Sequence, residues 1–130
     1  MVYPAVEAAD NLKKDGIEAT VINARFVKPL DAELILKLAE TNRVIITVEE
    51  AYLAGGFGSA VMECLEEKGL LDKVKVIRMG VPDRIITHGD PKLLLAKYQL
   101  DADGIYTRTR EAWEVLEERR AGRTKAEARP

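Results

Sequence analysis

The chain has 130 residues, enough for one hydrophobic core and too few for two ordinary domains. Hydrophobic residues make up 47% and charged residues 32%, a balance that fits a soluble globular domain, and with 5% aromatic residues the core is expected to be aliphatic. The 20 basic and 22 acidic residues leave a formal charge of −2, which argues against a nucleic-acid partner, because neutralising phosphates takes a basic face.

The first element is a helix, with Val2, Ala5, Val6, Ala9 and Leu12 at near-helical spacing forming one inward stripe. Gly16 is its natural stop. Ile17 to Asn23, rich in Val, Ile and Thr, reads as a short buried strand ending before Pro29. Asp31 is placed to cap a second helix through Glu40, with Leu34, Ile35, Leu38 and Ala39 facing inward. Val44 to Val48 is almost continuously apolar, the pattern of a strand covered on both faces in a parallel sheet. It is expected to be the most buried strand.

Glu49-Glu50 then lead to Gly55-Gly56-Phe57-Gly58 and a third helix that stops at Gly69. Lys73 to Met79 reads as the next strand. Asp90-Pro91 supplies an N-cap and a first-turn proline for a short helix through Tyr98. A final helix begins near Asp101 and carries Ile105, Ala112, Trp113 and Leu116 inward. Arg119, Arg120, Arg123, Lys125 and Arg129 follow, with Gly122 and Pro130 among them, so residues 119–130 read as a solvated, disordered basic tail.

This alternation of helix and strand predicts a three-layer α/β/α sandwich with a mainly parallel sheet over residues 1–118. Such a domain normally starts with a strand, and the first strand is expected upstream of Met1. No apolar run reaches membrane-spanning length and no signal peptide opens the chain, so the expected location is the cytoplasm, with no membrane partner. The lone Cys64 lies on the apolar side of the third helix and reads as buried filler.

Candidate chemistry is sparse. The stretch Ala54 to Ser59 joins a strand to a helix, where a phosphate is often held. It lacks the Gly-Lys-Ser/Thr of a phosphate loop, and Glu49 and Glu50 just upstream would repel an anion, so tight packing of the helix on the sheet is the favoured reading. The two adjacent carboxylates diverge on a strand, which suits a turn cap or a subunit contact better than an acid/base pair. His88, the only histidine, has Asp83 and Asp90 nearby but no evident nucleophile, and reads as a surface or interface residue. One His and one Cys give no metal-ligand spacing. Arg25, Phe26 and Lys28 at a strand exit suit an interface anchor.

Four stretches carry a family resemblance. Asn23-Ala24-Arg25-Phe26-Val27-Lys28-Pro29-Leu30-Asp31, and Val48-Glu49-Glu50 with Gly55-Gly56-Phe57-Gly58-Ser59-Ala60-Val61, resemble transketolase-type C-terminal domains. Both also resemble the C-terminal domain of the oxoacid dehydrogenase E1 beta subunit. Gly80-Val81-Pro82-Asp83-Arg84-Ile85-Ile86-Thr87-His88-Gly89-Asp90, then Leu100-Asp101-Ala102-Asp103-Gly104-Ile105, is similar to the 1-deoxyxylulose-5-phosphate synthases. Ala51 departs from that pattern, which often has Asn there, and the strand and glycine turn that usually precede Met1-Val2 are lacking.

The resemblance implies the C-terminal part of a transferase that condenses pyruvate with glyceraldehyde 3-phosphate using thiamine diphosphate and Mg²⁺, and whose product feeds isoprenoid and thiamine synthesis. It also implies that cofactor and substrate groups come from the upstream thiamine-binding domains. No catalytic, cofactor-binding or metal residue is therefore assigned in this chain, whose expected role is to support those domains and a homodimer. The rival readings are an oxoacid dehydrogenase E1 beta domain and a free-standing α/β anion-binding module.

Overall fold

The structure, a computed structural model, describes residues 1–127, with side-chain surroundings through residue 122. Helix α1 (Val2–Lys14) ends on a Schellman motif: Ile17 N–H donates to the Leu12 carbonyl at 3.0 Å and Gly16 N–H to that of Lys13 at 3.1 Å. Gly16 takes φ +77°, which a side chain would strain, so the sequence stop has a backbone cause. The motif also packs Ile17 beside Leu12, both buried.

Asp31 accepts from Leu34 N–H at 3.1 Å and caps α2 (Ala32–Thr41) as expected. Strand β1 (Val44–Tyr52), helix α3 (Phe57–Glu67) and strand β2 (Lys75–Val81) follow. Asp90 then caps α4 (Pro91–Lys97) by accepting from Lys92 and Leu93 N–H. Asp101 accepts from Gly104 N–H at 2.9 Å at the start of α5 (Ala102–Glu127).

The strands pair in parallel, from Val44 opposite Lys75 to Val48 opposite Met79. Side-chain alternation sends Ile46, Val48, Ile77 and Met79 to one face, against Ala8 of α1 and Ile105 of α5. Ile45 and Val76 go to the other face, against Val61 and Leu65 of α3 and Ala39 of α2. Helices thus cover both faces of a parallel sheet, the three-layer α/β arrangement expected. Arg43 joins the start of β1 to α5, its guanidinium 4.4 Å above the Trp113 ring centroid and 2.6 Å from Glu117 Oε1. Both charges are exposed, so this link contributes at most about 1 kcal/mol.

Three local readings need correction and one holds. Ile17 to Asn23 forms no strand: among the described residues the sheet has two strands, β1 and β2, and they pair with each other. Val44 to Val48 is the more buried of the two strands, as expected: none of its residues is exposed, whereas Lys75 and Arg78 of β2 are. Val6 is exposed, and the buried residues of α1 are Ala8 and Leu12, so the inward stripe is rotated from the one expected. Finally, α5 remains helical through Glu127, where a tail from Arg119 was expected. Arg, Ala, Lys and Glu are strong helix formers, and they outweigh the cost of about 1 kcal/mol for Gly122. Residues 128–130 of that expected tail lie outside the described residues.

Candidate functional site

The Gly-rich turn is built around one carboxylate. Glu49, 8% exposed at the end of the paired part of β1, accepts from Phe57 N–H at 2.7 Å and from Gly58 N–H at 2.9 Å. These are orphan donors of the first turn of α3, where the helix dipole also favours negative charge. The helix therefore binds an anion, and the anion is the protein's own.

The glycines make this approach feasible. A Cβ on Gly56 would collide with the Glu49 carboxylate, and one on Gly58 would lie 2.6 Å from Thr47 Oγ1 and 2.8 Å from Arg78 Cγ. Tight packing of helix on sheet, the reading favoured from sequence, is what the geometry shows. Arg78 of β2 closes the turn from the other strand. Its Nη1 donates to the Leu53 carbonyl at 3.0 Å and to Ser59 Oγ at 2.9 Å, and Ser59 Oγ donates to the same carbonyl at 3.0 Å. Beside them the hydroxyl of Thr47 is buried without a partner.

Arg78 and Thr47 were not singled out from sequence, and no local pattern marks them. Their roles arise because β2 and α3 meet residues distant in the chain. Of the two adjacent carboxylates, Glu49 turns inward and Glu50 is exposed, the divergence expected of neighbours on a strand.

The other candidates are dispersed. His88 is exposed in the loop before α4, as are Asp83 and Arg84, while the Asp90 carboxylate is engaged in capping. The Arg84 guanidinium lies 5.6 Å from the Tyr98 ring centroid. Cys64 is half-buried rather than buried. Arg25, Phe26 and Lys28 are exposed together, with Phe26 at 65%, and Val27 and Ile22 extend an apolar patch there. A largely apolar cavity of about 510 Å³ lies on the side of β1 away from β2, walled by residues 17–27 and by α1, α2, α3 and α5.

The α3 N-terminus is already occupied by Glu49, and among the described residues no group of three His, Cys, Asp or Glu side chains converges on a metal position. Among the described residues, no helix is long and apolar enough to cross a membrane.

Residues 1–105 match the family model described as "Transketolase, C-terminal domain". The chain belongs to this family. Within it the chain is 55% identical over 109 residues to the 1-deoxy-D-xylulose-5-phosphate synthase 1 of Geobacter metallireducens, covering 84% of this chain and 17% of that protein. It is 48% identical over 126 residues to the 1-deoxy-D-xylulose-5-phosphate synthase of a Synechococcus species, covering 97% of this chain and 19% of that one. The chain thus spans less than a fifth of the length of these curated relatives. Among solved structures it is similar to a chain titled a split gene transketolase, inactive beta4 tetramer, with a TM-score of 0.76 and 35% identity, covering 85% of this chain and 35% of that chain. As a transketolase C-terminal domain it places its Gly-rich turn at an internal helix cap.

Proposed function

We propose that this transketolase C-terminal domain is the structural, dimer-supporting end of a 1-deoxy-D-xylulose-5-phosphate synthase. The observation that carries this reading is the 55% identity to the Geobacter synthase across 84% of the chain. The whole enzyme condenses pyruvate with glyceraldehyde 3-phosphate and releases carbon dioxide. Thiamine diphosphate, held with Mg²⁺ by domains outside this chain, supplies the electron sink for that chemistry, and the enzyme works in the cytoplasm as a homodimer.

What this chain's own residues do is mechanical. The Glu49 cap and the Arg78–Ser59–Leu53 contacts lock α3 onto the sheet, so the turn between Leu53 and Ser59 is a rigid surface. The chain alone is expected neither to bind thiamine diphosphate with Mg²⁺ nor to consume pyruvate. Calorimetric titration checks the first point, and micromolar binding by the isolated chain would overturn the reading. The full-length protein is expected to form 1-deoxyxylulose 5-phosphate from the two substrates. If it oxidised a 2-oxoacid instead, the oxoacid dehydrogenase alternative would hold.

The exposed patch at Arg25, Phe26 and Val27 faces another domain or subunit in that enzyme. An aromatic side chain 65% exposed beside two cations suits a contact whose centre is desolvated on assembly. Replacing Phe26 by Ala in the full-length protein is expected to weaken the dimer about 10-fold or more, an interface loss of roughly 1.4 kcal/mol or more. An unchanged sedimentation profile across dilution counts against it.

A further inference from the structure

Asp-Gly occurs twice in the chain, at Asp15-Gly16 and at Asp103-Gly104. The pair is open to self-reaction, because glycine carries no side chain to hinder its own amide nitrogen as that nitrogen closes on the preceding carboxyl group. The two copies sit in opposite settings. Asp103-Gly104 lies in the first turn of α5, where Gly104 N–H donates to Asp101 Oδ1 at 2.9 Å and a Cβ on Gly104 would strike the Gln99 backbone. That copy is clamped by the main chain around it.

Asp15-Gly16 lies just past the end of α1, with Asp15 exposed. Ring closure requires the Asp15 Cβ to eclipse Gly16 N about the Asp15 Cα–C bond. At ψ 7° it is the Asp15 backbone nitrogen that nearly eclipses it, so rotation about this one bond is the gate. Two contacts resist the rotation. The backbone contact is the Schellman pair, Gly16 N–H to Lys13 O at 3.1 Å and Ile17 N–H to Leu12 O at 3.0 Å. The other comes from α5: the Tyr106 hydroxyl donates to Asp15 Oδ2 at 2.6 Å. Arg110 Nη1 donates to that hydroxyl oxygen at 3.1 Å, and since a guanidinium accepts nothing, the one tyrosine proton is committed to the carboxylate.

We propose that Asp15-Gly16 is a covalent self-modification site, isomerising to isoaspartate through a succinimide, and that the Tyr106 hydroxyl is the latch that keeps it slow. In the first step Gly16 N bonds to Asp15 Cγ. The amide proton is lost and one carboxyl oxygen leaves as water. In the second step water adds to a ring carbonyl. Attack at Cγ restores aspartate; attack at the Asp15 main-chain carbon leaves isoaspartate, with one methylene moved into the backbone. The water lost is regained, so the net change is an isomerisation that needs no co-reactant. The longer backbone breaks the Schellman pair and draws Ile17 away from Leu12, both buried. None of this depends on the activity of the enzyme to which the domain belongs.

The test ages the 130-residue chain and its Tyr106→Phe variant in warm neutral buffer. Phe keeps the ring that packs against the Ala8–Ile105 cluster and removes only the hydroxyl. Isoaspartate is located at each Asp-Gly pair by enzymatic methylation and by electron-transfer fragmentation of the peptides. The variant is expected to isomerise at Asp15 about 10-fold faster than the parent, the effect of losing one hydrogen bond to a charged group, with Asp103 unchanged. In the aged variant the Ile17 amide is expected to exchange faster in the modified fraction alone. Asp15→Glu, which cannot close the five-membered ring, is expected to show no modification at position 15. The inference is overturned if Tyr106→Phe isomerises at the parent's rate. It is also overturned if both Asp-Gly pairs accelerate together, which would report global unfolding, or if isoaspartate gathers at Asp103 in preference to Asp15.

Discussion

Replacing Glu49 by Ala is expected to lower the unfolding free energy of the chain by about 2–4 kcal/mol. The substitution leaves two first-turn donors of α3, Phe57 N–H and Gly58 N–H, without an acceptor in a buried setting. Each such orphan costs about 1–3 kcal/mol, and loss of negative charge at the helix N-terminus adds about 0.3–1 kcal/mol. Relief of the carboxylate's own desolvation works the other way, so the sum falls below the arithmetic maximum. The Gln variant keeps one acceptor oxygen and loses the charge, so its cost should fall at about half that of Ala. Urea unfolding with an unchanged m-value measures both. An Ala variant within about 0.5 kcal/mol of the parent would mean that water replaces the carboxylate without penalty.

Leu65→Ala is expected to cost about 2–5 kcal/mol, comparable with a large fraction of the 5–15 kcal/mol available to a small domain. Leu65 is fully buried on α3, at the centre of the cluster formed with Ala39, Val61 and Val74 on the α2–α3 face of the sheet. Its removal takes away transfer free energy and leaves a cavity that neighbours on two helices and a strand cannot all relax into. Val6→Ala is the informative comparison. Val6 was read from its spacing as an inward residue of α1, but it is 44% exposed, so its truncation should stay within about 0.5 kcal/mol. A Val6 effect as large as that of Leu65 would restore the stripe that the spacing implied.

Two exposed pairs on α5 mark the opposite end of the energetic scale. Arg110 and Glu114, at 3.0 Å, and Arg108 and Glu111, at 3.5 Å, are solvent-screened neighbours on one helix face. Each contributes a few tenths of a kcal/mol at most. The chain is held by its two apolar clusters and its caps, with surface ion pairs secondary.

The features legible from sequence are those with local causes. Asp31, Asp90 and Asp101 each accept from backbone N–H groups two or three residues ahead, so a cap can be read from a few consecutive letters. Gly16 stops α1 because its backbone lies at φ +77°, again a property of one residue and its neighbours. The continuous apolar run at Val44 to Val48 implied a parallel sheet between helices, and the two clusters on opposite faces of β1 and β2 bear that layering out. The quoted motifs were enough to reach the family, since they occupy turns and caps where few residue types serve.

Tertiary structure decided whatever depends on a distant partner. A strand exists only where another edge meets it, so composition at Ile17 to Asn23 could promise one while the backbone there stays unpaired beside the cavity. Helical spacing narrows a buried stripe to within one residue step, and packing against α5 then rotated it away from Val6. Both adjacent glutamates looked alike in the sequence. Only the position of α3 over β1 chose Glu49 to complete a helix eight and nine residues away and left Glu50 in solvent, because a buried carboxylate persists only where backbone donors meet it.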